Sequence, residues 1–140
     1  MSTPINSVHE PATVYGWGHA ITLYRNPQYA IRQLDFEFNR ISAFQYHMHS
    51  SRTIYALTGQ FFINLVDTTN GRRYAKTLTA HHHLHIPYGQ PYQIDCTSTG
   101  SLLEIVSPPV DDDACILHLG DSQPQPRGGE PSTPPFPSLH

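Results

Sequence analysis

Turn signals between short alternating segments constrain the fold of this chain more than any other feature. Asn70-Gly71 is the strongest short hairpin dipeptide, and Gly59-Gln60 is a further hairpin signal. Pro87-Tyr88-Gly89 and Ser98-Thr99-Gly100 mark other turns. The segments around them are short, and none shows a long helical period. They cover residues 29–38, 40–49, 53–57, 61–66, 73–78, 82–86, 92–96 and 102–106. Such spacing predicts an all-β fold, either a sandwich or a barrel.

Length and composition fit one domain between two ends of different character. The chain has 140 residues, of which 38% are hydrophobic and 14% are charged, and this is enough to bury a core. Residues 1–13 are polar and are predicted to form an N-terminal arm, while residues 14–119 hold the strand signals of the domain. Residues 120–140 contain six prolines, which predicts a disordered or polyproline-like tail.

Charge, cysteine content and terminal sequence narrow the partners and the compartment. The net charge is −3, and Arg72-Arg73 is the only dense basic spot, so no nucleic-acid footprint is predicted. Two cysteines, Cys96 and Cys115, are too few for a disulfide framework. No stretch has the length of a membrane span, and the first residues lack the pattern of a signal peptide. These features predict a cytoplasmic protein without nucleic-acid or membrane partners.

One segment carries polar side chains where a strand would bury them. It reads Gln45-Tyr46-His47-Met48-His49. Because alternate residues of a strand point to the same face, Gln45, His47 and His49 are expected to face one space. Buried polar groups need partners or a ligand, since leaving them unpaired is costly. This segment is therefore the predicted centre of a functional site.

Six short motifs follow one another along the body of the chain. They are Tyr15-Gly16-Trp17-Gly18-His19, Tyr29-Ala30-Ile31-Arg32, Phe44-Gln45-Tyr46-His47, residues 53–59, residues 85–91, and residues 103–109 with Asp111-Asp112. In this order they resemble the cupin superfamily, in particular small single-domain cupins related to mannose-6-phosphate isomerase. The resemblance implies a double-stranded β-helix, the cupin jelly roll, in a single domain. It also implies a homodimer that pairs through edge strands and a small, sugar-derived substrate.

The positions that hold a metal in metal-binding cupins are altered in this chain. Such cupins take two histidines and a carboxylate from one motif and a further histidine from a second. His47 and His49 match the histidine pair. The carboxylate position falls at Arg52, or at Thr53 if the spacing is one longer, and the last histidine position falls at Tyr92. Arginine stays protonated and cannot ligate a metal, so the standard site is predicted to be broken.

A dense histidine segment offers a way to rebuild a metal site. Residues 81–85 contain four histidines, and the strand register decides which of them face inward. With two of these facing inward, the metal ligands would be His47, His49, His83 and His85. Imidazole ligands suit Zn, Fe, Ni or Cu. The alternative is an exposed or interface strand that binds metal only adventitiously, so a divalent metal and a metal-free site both stay open here.

Without a metal, the same region still offers acid–base chemistry. His47 or His49 would act as general base near neutral pH. Tyr55 or Tyr92 would act as general acid or hold an oxyanion. The predicted substrate-binding side chains are Arg32, Gln45, Arg52 and His85. The arginines would bind a phosphate or a carboxylate, and a cation beside a sugar carbonyl would stabilise an enediolate.

Three functions follow from these residues. The leading one is an isomerase, epimerase or dehydratase that acts on a sugar phosphate or a nucleotide sugar. The second is a metal-dependent oxygenase with a histidine-rich site. The third is a non-catalytic cupin that binds a metabolite.

Two acidic features of the sequence have structural interpretations. Glu104 is either an inward-facing acid or a paired structural carboxylate. Asp111-Asp112-Asp113 is expected to cap a turn or to open a short helix, because acidic residues favour a helix N-terminus. These acids are therefore not assigned to the site.

Overall fold

Short antiparallel strands build the whole fold. The computed structural model describes residues 10–110 and 113–121. These residues contain twelve strands and no helix. The strands are β1 (Thr13–Tyr15), β2 (Gly18–Arg25), β3 (Ala30–Phe36), β4 (Arg40–Ile41), β5 (Phe44–His47), β6 (Ser51–Thr58), β7 (Gln60–Val66), β8 (Arg73–Thr79), β9 (His83–Ile86), β10 (Tyr92–Cys96), β11 (Gly100–Ser107) and β12 (Ala114–His118).

The strands form two sheets with a shared interior. The first sheet has the order β1-β2-β3-β11-β6-β9, and the second has the order β12-β5-β10-β7-β8, with β4 paired to β10. Within each sheet, every pair of neighbouring strands is antiparallel. The predicted all-β, two-layer architecture is confirmed. The chain crosses repeatedly between the sheets, which brings residues distant in sequence to one interior.

The turn signals act in two different ways. At Asn70-Gly71 the chain makes the predicted hairpin, with β7 and β8 paired from Gln60↔Thr79 to Val66↔Arg73. At Gly59 the chain turns but β6 and β7 do not pair, because they belong to different sheets. Gly59 has a φ of 84°, a left-handed conformation that favours glycine. This residue is therefore a corner between the sheets rather than the hairpin expected from its sequence.

Alternate side chains of the strands fill the space between the sheets. Ile54, Ala56, Phe61, Ile63 and Leu102 have no exposed surface. Each lies on a strand whose other face is more exposed, as the burial patterns of β6, β7 and β11 show. This alternation is the period-two pattern expected for a half-buried strand. The core occupies one end of the interior and leaves a polar cavity at the other.

The C-terminal part of the domain differs from expectation. Residues 114–118 form β12, which pairs with β5 from Ala114↔His47 to His118↔Phe44. The short helix expected after the acidic run is wrong, because pairing with the edge of β5 satisfies backbone groups along the whole segment. Asp111 and Asp112 lie outside the described residues. β2 is a second strand that the turn signals do not predict.

The predicted arm and tail fall largely outside the described part of the chain. Of residues 1–13 only 10–13 are described, and of residues 120–140 only 120–121. The domain boundaries at 14 and 119 stay a prediction, with β1 beginning at Thr13. Within the described ranges, no helix is long and apolar enough to span a membrane.

Candidate functional site

A cavity of about 720 Å³ opens between the two sheets. Its polar lining comes from both of them: β2, β3, β6 and β11 of the first sheet, and β5, β10 and the residue before β12 in the second. The residues with polar side chains that line it include Arg25, Arg32, Gln45, His47, Arg52, Tyr92, Glu104 and Asp113. An apolar wall with Trp17, Leu34, Phe36 and Ile94 faces them. The size and mixed lining are typical of a small-molecule site.

His47 lies at the centre of this lining, between an acid and a hydroxyl. Its Nδ1 is 3.0 Å from Oδ1 of Asp113, and its Nε2 is 3.1 Å from the hydroxyl oxygen of Tyr92. All three residues are buried. Strand pairing sets the arrangement, because β12 and β10 both flank β5, and His47 is the last residue of β5.

The contacts of the His47 ring determine which nitrogen carries the proton. Asp113 as a carboxylate only accepts hydrogen bonds, so the 3.0 Å contact requires a proton on Nδ1. Arg52 Nη2 also approaches this nitrogen, at 3.2 Å, but a guanidinium only donates and cannot bond a protonated nitrogen. Tyr92 then donates to Nε2. The lone pair on Nε2 is the basic atom that faces the tyrosine.

Arg52 lies between two buried carboxylates. Its Nε is 3.8 Å from Oε2 of Glu104, and its Nη2 is 3.5 Å from Oδ1 of Asp113. Its Nη1 donates to the hydroxyl of Ser50, which itself donates to Asp113 at 2.6 Å. The Nε atom is buried and has no hydrogen-bond partner among the described residues. An unsatisfied buried donor of this kind marks a place where a water or a ligand atom fits.

A second arginine completes the charge network. Arg32 and Glu104 are direct partners on β3 and β11, and Nη1 of Arg32 donates to Oε1 of Glu104 at 2.9 Å. Glu104 therefore contacts both arginines, and Asp113 contacts Arg52 and His47. The two acids and two arginines balance in charge. Such pairing reduces the cost of burying each charge.

The surroundings shift the pKa values of three groups in the site. Burial, followed by the charge of Arg52, lowers the pKa of His47, although Asp113 opposes this. Burial, with the nearby charge of Glu104, raises the pKa of Tyr92. Burial would raise the pKa of Asp113, but hydrogen bonds from Ser50 and His47 outweigh it, so the pKa is lowered. His47 is thus held neutral, Tyr92 protonated and Asp113 ionised near pH 7.

The structure brings five of the predicted site residues together in the cavity. They are Arg32, Gln45, His47, Arg52 and Tyr92. Tyr92 stands directly opposite Gln45 in the β5–β10 pair, and its ring centroid is 5.8 Å from that of His47. Residues from three separate predicted strands therefore share one space.

His49 is a correction to the sequence-based placement. β5 ends at His47, so the alternation that would carry His49 to the same face stops there. The side chain of His49 is exposed. Its backbone N–H donates to Oδ2 of Asp113 at 3.2 Å. His49 thus contributes to the site through its main chain and not through its ring.

Tyr55, His83 and His85 are also placed differently from expectation. In the β6–β9 pair, Tyr55 stands opposite His83 and Thr53 opposite His85. The buried residues of these strands alternate with them, so all four lie on the outer face of the first sheet. Tyr55 bonds His81 at 3.1 Å, and His85 bonds Thr53 at 2.9 Å. The register of β9 settles the open question: its odd-numbered histidines face outward.

Asp113 and Glu104 are site residues that the sequence reasoning did not assign. Glu104 was open between an inward acid and a paired carboxylate, and it is both. Asp113 reaches His47 across 66 residues of chain, so no local pattern connects them. The pairing of β12 with β5 places it there, and the only sequence signal is the last cupin-like motif, which ends in that acidic run.

The donor set in the cavity does not fit a divalent metal. The four histidines predicted as ligands are divided, with one inside the cavity and three outside it. Among residues 10–110 and 113–121, no three His, Cys, Asp or Glu side chains lie close enough to hold a metal together. The space between Glu104 and Asp113 is occupied by the permanent charge of Arg52, which repels a cation.

Comparison with solved structures identifies the fold. An RmlC-like cupin from Shewanella frigidimarina is 21% identical with a TM-score of 0.63, over 74% of this chain and 87% of that chain. A mutant of oxalate decarboxylase from Bacillus subtilis is 14% identical with a TM-score of 0.69, over 81% and 34%. The capsular polysaccharide assembling protein CapF from Staphylococcus aureus is 13% identical with a TM-score of 0.68, over 77% and 32%.

These likenesses show the fold of the chain. No family model matches the sequence, and no curated protein matches it significantly. At these identities the likeness shows the fold alone. The chain is a cupin by fold, and the predicted double-stranded β-helix is confirmed. It spans about a third of the length of the oxalate decarboxylase and CapF chains that it matches.

Proposed function

We propose that this protein binds a sugar phosphate or a similar nucleotide sugar in the cavity and catalyses its isomerisation, epimerisation or dehydration by acid–base chemistry. The observation that carries the proposal is the buried arrangement of His47 between Asp113 and Tyr92. A histidine held neutral by its surroundings is a base poised for proton transfer.

His47 is the proposed general base. Its Nε2 lone pair takes a proton from a substrate carbon next to a carbonyl, and the electron pair of the C–H bond moves to the carbonyl oxygen to form an enediolate. Asp113 accepts the hydrogen bond from Nδ1–H of His47. It thereby orients the ring and stabilises the imidazolium that forms. The Tyr92 hydroxyl must leave Nε2 when the substrate carbon approaches. After Tyr92 has given its own proton to the substrate, the proton held on Nε2 passes to the tyrosinate oxygen, 3.1 Å away in the resting site, and both groups regain their starting state.

Tyr92 and the arginines supply the remaining roles. The raised pKa of Tyr92 keeps its hydroxyl protonated, so it can return a proton to carbon or protonate a leaving oxygen. The Nε atom of Arg52 is a donor without a partner among the described residues, and it is the proposed contact for the enediolate oxygen. Gln45, opposite Tyr92, offers an amide to sugar hydroxyls.

Two arginines and a pair of stacked aromatic rings in the cavity lining support a sugar-derived anion as substrate. Arg32 and the more exposed Arg25 line the same cavity, and arginine binds phosphate oxygens in a fork geometry. Tyr15 stacks on Trp17 with ring centroids 4.8 Å apart, which offers a flat surface beside these arginines. One neighbour of the same fold carries the name of a capsular polysaccharide assembling protein, which is in keeping with sugar chemistry.

Deuterium exchange is the decisive experiment. Sugar phosphates and nucleotide sugars are first screened for a rise in melting temperature, since a ligand that binds only the folded state stabilises it. Each compound that binds is then incubated in D₂O with the wild-type protein, His47→Ala and Tyr92→Phe. We expect deuterium at the carbon next to the carbonyl, and a loss of about 10²–10⁴-fold in exchange rate for His47→Ala. A full panel without binding contradicts the proposal.

A non-catalytic metabolite-binding cupin is the second candidate. It is favoured by the observation that both ring nitrogens of His47 and both acids already have partners within the protein. Under this function, a sugar phosphate raises the melting temperature of the wild-type protein but exchanges no deuterium. His47→Ala then weakens binding without any turnover to lose.

We further propose that the protein acts as a homodimer in the cytoplasm. Each sheet ends in strands paired on one side only within the described residues, namely β1, β9, β12 and β8, and such edges favour pairing with a second copy. Cys96 and Cys115 are free thiols, in keeping with a reducing compartment. Sedimentation velocity of the full chain measures the oligomeric state, and a monomer at micromolar concentration contradicts the dimer.

A further inference from the structure

We propose that His83 and His85 form a chelating site for a late first-row divalent metal ion, Ni²⁺, Cu²⁺ or Zn²⁺, on the outer face of β9. This site is separate from the cavity and does not depend on the proposed function. The two residues are i and i+2 on one strand, and both are exposed. Alternate strand residues point to the same side, so the two imidazoles stand next to each other facing solvent.

The spacing along the strand suits two ligands to one ion. Residues i and i+2 are about 6.6 Å apart in a strand, and two imidazole rings that lean together bring their nitrogens onto one ion at about 2 Å. Neutral imidazole is a ligand of choice for zinc, copper and nickel. Water fills the remaining positions, because no third His, Cys, Asp or Glu of the described residues joins the pair.

A contact behind the site orients one of the ligands. The Nδ1 of His85 lies 2.9 Å from the hydroxyl of Thr53, its direct partner on β6. With Nδ1 donating to that hydroxyl, the lone pair is on Nε2 and points to solvent. Metal-binding histidines commonly have their second nitrogen fixed in this way, and losing such a partner costs 10- to 100-fold in affinity (about 1.4–2.8 kcal/mol). Thr53 is therefore a positioning residue.

The neighbouring histidine provides a matched control. His82 is exposed like the pair, but it precedes β9 and its Nδ1 is held locally by Thr79 at 3.1 Å. It adds imidazole to the same surface without sharing the face of the strand. Replacing it tests whether the number of histidines or their placement creates the affinity.

Titration of the untagged full chain with Ni²⁺, and separately with Zn²⁺, tests the site by calorimetry. We expect one ion per chain, at least about ten-fold weaker binding in His83→Ala and in His85→Ala, and unchanged binding in His82→Ala and His47→Ala. Thr53→Val is expected to weaken binding and Thr53→Ser to restore it, because serine keeps the hydroxyl.

Three outcomes overturn the site. Wild-type affinity in both His83→Ala and His85→Ala means that the ion binds elsewhere. An equal loss in His82→Ala means diffuse binding by a histidine-rich surface only. A loss in His47→Ala places the ion in the cavity. Because His82, His83 and His85 are exposed, circular dichroism is expected to show the same fold for the variants at these three positions.

Discussion

At the scale of single residues, the behaviour of His47 is governed by the charges that touch it. Arg52 and Asp113 both contact the ring, and they act on it in opposite directions. Burial together with Arg52 prevails, so the ring stays neutral. A base that is neutral near pH 7 can accept a proton, whereas one paired only with a carboxylate would already hold it.

Removing the charge of Arg52 is expected to raise the pKa of His47. In Arg52→Gln the repulsion from the guanidinium is lost, while the attraction of Asp113 and Glu104 for the imidazolium remains. Titration of the His47 ring by NMR measures the shift. Arg40→Gln, at an arginine of β4 whose side chain is 40% exposed and lies outside the cavity lining, is the control and should leave the titration unchanged. A lower pKa in Arg52→Gln would contradict the assignment.

The lowered pKa of His47 also predicts how stability depends on pH. The unfolded chain takes up a proton near pH 6.5, but the folded site resists it until a lower pH. The free energy of unfolding that this residue contributes is therefore present above pH 6.5 and is lost as the pH falls through the folded pKa. Urea unfolding at pH 7.5 and pH 5.5 should show a larger loss for the wild type than for His47→Gln. Equal losses would mean that His47 titrates normally.

At the scale of elements, β12 decides whether the site exists. Asp113 directly precedes this strand, and the pairing of Ala114 with His47 holds it against the end of β5. Oδ2 of Asp113 accepts bonds from Ser50 and from the backbone of His49. One side chain thus connects a C-terminal strand to the loop between β5 and β6.

Asp113→Ala is expected to destabilise the protein by about 3 kcal/mol, because it removes one of the two buried carboxylates around Arg52 and the acceptor of the Ser50 hydroxyl. The measurement is urea unfolding at pH 7.5. Glu37→Ala is the control: its carboxylate is 67% exposed and 3.9 Å from Arg40, so a change near zero is expected. Similar values for the two variants would show that Asp113 is not part of a coupled network.

The start of β2 depends on a glycine. Gly18 has a φ of 151°, and a Cβ there would clash with the backbone oxygen of Asp35. Gly71 also has a positive φ, 74°, but a Cβ there would meet nothing within 4 Å. Gly18→Ala is therefore expected to cost at least about 3 kcal/mol and Gly71→Ala about 1 kcal/mol. Thermal unfolding compares them, and equal costs would rule out the close approach of β2 to β3.

At the scale of the whole molecule, two sheets share one interior that is apolar at one end and charged at the other. The apolar end sets the stability. Ile63 is fully buried on β7, and Ile105 is 38% exposed on β11. Ile63→Ala is expected to cost about 3–4 kcal/mol and Ile105→Ala less than about 1 kcal/mol. Chemical unfolding at several protein concentrations measures these costs and separates them from any effect on association.

Much of the fold could be predicted because its signals are local. The hairpin at Asn70-Gly71 follows from turn chemistry, and the strands around it follow from period-two alternation. The Gly59 corner shows the limit, since the same kind of turn residue can join strands of one sheet or of two. Which of these occurs depends on the packing of the sheets and not on the turn.

The candidate site was predictable only in part for the same reason. Alternation along the strand predicts that Gln45 and His47 share a face. It does not predict that β5 ends at His47, so that His49 no longer follows the alternation, and no sequence pattern marks that end. His83 and His85 face outward because of the register in which β9 pairs with β6. A shift of that register by one residue would exchange all the inner and outer side chains of β9.

By itself, the sequence determined an all-β body of short strands and the two polar positions on β5, because alternation and turn chemistry act between near neighbours. The jelly roll was implied by the resemblance of six motifs to cupins. The tertiary structure alone decided that Asp113 meets His47, that Arg52 lies between two acids, and that the histidine-rich strand faces solvent. These contacts join residues far apart in the chain. Their geometry is set by sheet pairing and burial, which no local pattern records.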